Sequence, residues 1–277
     1  MQIELAKSYG FCFGVKRAIR IAENAGADAT IGELIHNRRE TERLRENFGV
    51  KTLADVSELT TEKTAIIRTH GITKSDLATL KERGVNVIDA TCPFVKNPRQ
   101  IVEKMSAEGY DIVIFGDSSH PEVKGIVSFA TTPAFVVASV QELESVRLGK
   151  KVALLSQTTK KLENFVKITS FLATKIAELR VFNTICNATL NNQDAVSELA
   201  QRSDVLVIIG GRNSSNTKQL HLIASGICKD SYLIENEDEL NAAWFKDKLR
   251  CGVSAGASTP QWAIERVIER IKQLTQE

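Results

Sequence analysis

The chain has 277 residues, 43% of them hydrophobic and 25% charged, with a formal net charge of +2. That is the composition of an ordinary globular protein, long enough for one large domain or for two or three small α/β units. A near-neutral balance gives no reason to expect nucleic-acid or membrane-surface binding, and no apolar run approaches the roughly 18–20 residues of a bilayer span.

Glu4 interrupts the N-terminal stretch where an export signal needs an unbroken apolar run. Five cysteines in such a chain read as reduced thiols of a cytoplasmic protein. No Cys-x-x-Cys pair occurs, which argues against a zinc ribbon and against local ferredoxin spacing.

Short β-branched runs recur along the chain, each followed by glycine or polar residues and then a helical pattern. They predict strands at Ile3–Ala6, Thr30–Leu34, Ala65–Arg68, Val85–Asp89, Asp111–Phe115 and Ala134–Ala138. Further strands are predicted at Val152–Leu155, Val181–Asn183, Val205–Ile209, Ser231–Ile234 and Cys251–Ser254. Between them, sets such as Val15, Ala18, Ile19 and Ala22 line one helical face. The alternation predicts an α/β fold of mostly parallel sheets.

Cys12, Cys92 and Cys186 cut the chain into near-equal thirds, each where a strand runs into a helix. The last two end gapless similar segments, Val-Ile-Asp-Ala-Thr-Cys at 87–92 and Val-Phe-Asn-Thr-Ile-Cys at 181–186. They suggest three similar units at 13–92, 93–186 and 187–277, the last completed by a strand from 1–12. In parallel α/β units ligands bind beyond the carboxyl ends of the strands, and a helix start favours the thiolate that binds metal. One cysteine so placed is more often a small buried residue; three at equivalent junctions favour convergence on one metal centre. Cys228 and Cys251 lack that placement and read as core.

The same strand ends carry polar loops: His36-Asn37, Thr69-His70-Gly71, the loop 116–122 with His120 and Glu122, Ser156–Thr159, Asn213–Asn216 and Ala255–Thr259. Such residues commonly cap helices, but as a set they suit a phosphate group. Neither a Walker sequence nor Gly-x-Gly-x-x-Gly after a strand is present, which disfavours a nucleoside triphosphate or a dinucleotide. Glu122, beside His120, could pass a proton to a substrate.

In order along nearly the whole chain run Gly-Phe-Cys-Phe-Gly-Val (10–15), Ile-His-Asn-Arg (35–38), Thr-His-Gly (69–71), Asp-Ala-Thr-Cys-Pro (89–93) and Gly-Asp-Ser-Ser-His-Pro-Glu-Val (116–123). Ser-Gln-Thr-Thr (156–159), Cys-Asn-Ala-Thr (186–189), Asn-Ser-Ser-Asn (213–216) and Ala-Gly-Ala-Ser (255–258) complete the series. Together they strongly resemble the 4-hydroxy-3-methylbut-2-enyl diphosphate reductase family of the non-mevalonate isoprenoid pathway.

The resemblance implies three α/β units around a central [4Fe–4S] cluster held by Cys12, Cys92 and Cys186. One iron has no cysteine and receives the substrate hydroxyl. It implies that His36, His70, His120, Thr158, Ser214, Ser215, Asn216 and Ser258 bind the allylic diphosphate substrate, with Glu122 and Thr158 catalytic and Glu122 the proton source. The implied reaction is reductive dehydroxylation to isopentenyl and dimethylallyl diphosphate with two electrons and two protons, the electrons coming from a ferredoxin- or flavodoxin-type donor; a monomer or weak dimer is expected. Phe13 and Asn187 depart from the family pattern beside ligand cysteines, where they could tune cluster packing. Two rival readings stand. A phosphosugar isomerase or hydrolase leaves the cysteine symmetry unexplained, and an iron–sulfur carrier or zinc module leaves the polar loops unexplained.

Overall fold

The computed structural model describes residues 1–276. These form two compact units, one of Met1–Lys16, His36–Glu40 and the chain from Asn187 onward, the other of Arg17–Ile35 and Thr41–Cys186. Helices α1 (Phe13–Asn24) and α2 (Arg38–Phe48) are shared between them.

In the first unit, β1 (Gln2–Leu5), β10 (Val205–Ile209), β11 (Ser231–Ile234) and β12 (Arg250–Ala255) form one parallel sheet in the order β1-β12-β10-β11. Helices α8 (Asn187–Ala200), α9 (Ser215–Ile227) and α10 (Gln261–Gln276) complete the unit. Val205, Val207 and Ile209 pack with Val253, Ile264, Val267 and Ile271 on one face of the sheet. Leu206 and Ile208 pack with Val196, Leu199 and Leu220 on the other. Burial on both faces explains why β10 reads as an unbroken apolar run rather than as an alternation.

The second unit holds two sheets. In one, β2 (Ala29–Ile31), β3 (Lys51–Leu53), β4 (Thr64–Ile67) and β5 (Asn86–Asp89) run β3-β2-β4-β5. In the other, β6 (Asp111–Phe115), β7 (Ala134–Val137), β8 (Lys151–Ser156) and β9 (Glu178–Val181) run β7-β6-β8-β9. Helices α3 (Lys74–Glu82), α4 (Pro93–Ala107), α5 (Pro121–Val127), α6 (Val140–Glu144) and α7 (Leu162–Ala173) belong to this unit. All pairings in both sheets are parallel.

The three sheets share one strand order, in which the N-terminal strand β1 takes the edge place held elsewhere by β5 and β9. The expected α/β architecture of three similar, parallel-sheet units is therefore present. Two edge strands differ from the sequence reading. β3 was not expected, because Lys-Thr-Leu is only three residues long and mostly exposed. β9 lies at Glu178–Val181 rather than 181–183, since its alternating polar residues suit a half-exposed edge.

Ile112, in the inner strand β6, is fully buried. Ile112→Ala should lower unfolding free energy by about 2–5 kcal/mol, read as a reduced urea midpoint with an unchanged slope.

Candidate active site

Each of Cys12, Cys92 and Cys186 is half-buried, lies just past the edge strand of its sheet and immediately precedes a helix: β1 then α1, β5 then α4, β9 then α8. Each backbone N–H donates to a carbonyl in the loop that follows the neighbouring inner strand. Cys12 donates to Ala257 after β12 (3.2 Å), Cys92 to Thr69 after β4 (3.0 Å), and Cys186 to Thr158 after β8 (3.0 Å). Those three loops carry Ser258, His70 and Thr158, three of the expected substrate contacts.

The approach to Cys92 and Cys186 is built alike. The Thr91 N–H donates to the Asp89 carboxylate (2.9 Å), and the Ile185 N–H donates to the Asn183 side-chain carbonyl (3.2 Å). Where the backbone N–H of Ala90 extends the ladder to Ile67, Thr184 uses its hydroxyl on both main-chain groups of Ser156. The two chains thus reach the same turn by different bonds. At α4, Pro93 takes the first helical turn, where a missing N–H costs nothing.

No disulfide joins any of the five cysteines. Cys228 and Cys251 are buried in the core of the first unit, and burial pushes the Cys251 thiol up to about 12. That thiol is inert as a ligand at neutral pH. The remaining three are partly exposed and stand at helix starts, where a thiolate is favoured.

In the second unit, β6 and β8 bring Glu122 and Thr158 together. The Thr158 N–H donates to Glu122 Oε1 (2.8 Å) and its hydroxyl to Oε2 (2.7 Å). Glu122 is only 2% exposed, and burial pushes its carboxyl above the ordinary range, against the opposing effect of the two Thr158 bonds. A carboxyl raised in this way keeps its proton to higher pH than an ordinary one and can release it to a bound group. His120 caps α5, its Nδ1 accepting from the Glu122 N–H (3.2 Å). That acceptor role leaves the neutral ring's proton on Nε2. The His70 and His120 rings meet edge to face, with centroids 5.5 Å apart.

In the first unit, His36, Ser214, Asn216 and Ser258 are all buried. The Ser258 hydroxyl donates to the His36 carbonyl (3.0 Å). Ser214 caps α9, accepting from the Thr217 N–H, and Ser215 opens that helix. Gly210 lets the end of β10 pass close to α9 and the loop after β12: at φ +150°, a Cβ there would lie 2.7 Å from the Thr217 hydroxyl oxygen and 2.8 Å from that of Thr259. Both polar atoms of the Asn216 amide are buried with no protein partner. A buried amide left so costs about 1–3 kcal/mol per group, which a polar ligand would recover. Hydroxyls and an unsatisfied amide at a helix start are groups able to hold an anion.

Sequence reasoning gave no individual role to Gln157 or to the polar residues of α8. Gln157, wholly buried, accepts from the Asp117 N–H (3.0 Å) and donates to Thr159 (3.3 Å), tying two site loops together. Thr189, Asn192 and Gln193 form a buried polar face on α8 after Cys186. Their i, i+3, i+4 spacing was the available signal, but polar residues so spaced read as a solvated face.

A family model described as "LytB protein" matches residues 3–272. The chain belongs to the LytB family. Proteins called 4-hydroxy-3-methylbut-2-enyl diphosphate reductase match it nearly end to end. The one from Campylobacter fetus is 64% identical over 99% of both chains, and one from Campylobacter jejuni 60% identical over 98% of both. The solved structure of (E)-4-hydroxy-3-methyl-but-2-enyl diphosphate reductase, the terminal enzyme of the non-mevalonate pathway, matches with a TM-score of 0.70 and 38% identity over 98% of this chain and 99% of that one. The Plasmodium falciparum reductase matches at 0.90 with 25% identity, over 97% and 87%. The chain is accordingly an enzyme, an oxidoreductase of this family. Among the described residues no helix is long and apolar enough to cross a membrane.

The raised Glu122 carboxyl has a sign that can be tested. Because the folded state holds this proton more tightly than the unfolded chain, its stabilising effect is present below the ordinary carboxyl value and is lost as pH rises towards the raised one. The melting temperature of the wild type should therefore fall relative to Glu122→Gln as pH rises above 4.5, as followed by thermal unfolding across pH. A constant difference would contradict the assignment.

Proposed function

We propose that this LytB-family enzyme reduces 4-hydroxy-3-methylbut-2-enyl diphosphate to isopentenyl and dimethylallyl diphosphate. The observation that carries the reading is the bond from each candidate cysteine N–H to a loop bearing a candidate substrate contact, made in all three sheets. In this reading Cys12, Cys92 and Cys186 hold one [4Fe–4S] cluster. When bound, the cluster supplies electrons and, at the iron without a cysteine, Lewis acidity towards the allylic hydroxyl.

The chain's own residues do the rest. His36, His70, His120, Ser214, Ser215, Asn216 and Ser258 hold the diphosphate, so the short apolar chain is positioned by its charged end. Thr158 orients the Glu122 carboxyl through its two bonds, and Glu122 delivers a proton as the hydroxyl leaves as water. Two electrons and two protons convert the carbon–oxygen bond to a carbon–hydrogen bond and one water. The names of near-full-length relatives support this substrate and a reduction of it. We place the enzyme in the cytoplasm, acting as a monomer or weak dimer.

The test is anaerobic turnover of the reconstituted protein with a chemical reductant. Glu122→Gln should lower kcat by roughly 10²–10⁴-fold while keeping iron content and diphosphate affinity; loss of iron instead would make Glu122 structural. Cys92→Ser should lose most bound iron, whereas Cys228→Ser should keep it. Equal iron in both variants would refute the ligand set.

A further inference from the structure

The sequence left Phe13 as a residue that could tune packing around a ligand cysteine, yet its side chain is 64% exposed. Phe94, two residues after Cys92, is 47% exposed in the same way at the start of α4. Large exposed aromatics set directly beside candidate ligands do nothing for the core, and such rings are characteristic of interaction sites. In the second unit a basic residue of α1 reaches the segment that leads into Cys92 and Phe94. Arg17 donates to the carbonyls of Thr91 (3.3 Å) and Asp89 (3.4 Å), on the segment leading into Cys92. It spends these N–H groups on carbonyls rather than on a carboxylate, so its charge remains part of the surface. Arg20, one turn further along α1, is exposed, and Phe13 lies one turn before Arg17 on that helix. Asp89 is matched by Lys96 (2.7 Å). Neither α1 nor α4 has an acid in its first turn.

We infer that the exposed face of the second unit around Phe94, Arg17 and Arg20 is the docking surface for an acidic one-electron carrier protein. The inference rests on the proposed reductase reading, which needs two electrons per turnover. Charge complementarity selects the occupant: guanidinium groups meet the carrier's acidic rim and speed encounter, while Phe94 packs against the apolar edge around its redox group. Cys92 is only half-buried and two residues from Phe94, so the docked carrier sits beside the candidate metal site. Each docking oxidises one carrier by one electron. Two dockings, with two protons, convert one allylic alcohol to product and one water.

The test compares two reductants on the reconstituted holoenzyme: reduced flavodoxin, an acidic flavoprotein, and reduced methyl viologen. Arg20→Glu and Phe94→Ala should each raise the KM for flavodoxin about 5- to 20-fold, leaving turnover with methyl viologen and iron content unchanged. Titration calorimetry with oxidised flavodoxin supplies a readout without turnover: wild-type affinity should fall between 20 and 300 mM salt, and Arg20→Glu should flatten that dependence. If Phe94→Ala loses its iron, the exposed Arg20→Glu decides. Unchanged flavodoxin KM and affinity in Arg20→Glu overturns the inference, as does loss of self-association in that variant with flavodoxin kinetics intact. Failure of the wild type to turn over with methyl viologen would instead defeat the reductase reading itself.

Discussion

One contact organises each of the three sheets: the N–H of the cysteine beyond the edge strand, donated to a carbonyl in the loop beyond the adjacent inner strand. A parallel sheet places all its strand ends on one side, so a thiol and a polar loop from different parts of the chain arrive there together. The net worth of each bond is modest, about 0.5–1.5 kcal/mol. Its value lies in register, because a one-residue slip of an edge strand would turn every side chain on it to the opposite face. The buried inner strands β4, β8 and β12 supply the fixed side of each contact.

Stability and function pull apart around that framework. Glu122 is buried without a cationic hydrogen-bond partner among its described contacts, held only by the amide and hydroxyl of Thr158. Asn216 is buried with neither amide atom satisfied. Both arrangements cost stability in the folded chain, and groups held in this way are characteristic of functional sites. Cys251 and Cys228 show the opposite case, thiols absorbed by the core with no chemistry left to them.

Much of this was legible in the sequence because burial on both faces leaves unmistakable apolar runs, as at Val205–Ile209 and Asp111–Phe115. Edge strands were harder: β3 is too short for periodicity, and β9 alternates around residues the sheet leaves half-exposed. The candidate site residues could be found because each follows a strand. The supporting ones could not. Gln157 acts through side-chain bonds between loops, and Thr184 replaces a backbone ladder by its hydroxyl. Neither role leaves a spacing signature. The buried polar face of α8 was hidden for a different reason, since the same pattern ordinarily faces water.

The central claim is that three cysteines hold one cluster and leave one iron for the substrate. Mössbauer spectroscopy of the ⁵⁷Fe-reconstituted protein, recorded with and without the allylic diphosphate, addresses it most directly. The account predicts four irons per chain, one distinct from the other three, with substrate altering the parameters of that one alone. Four equivalent irons indifferent to substrate, or a chain that assembles no cluster, would contradict it.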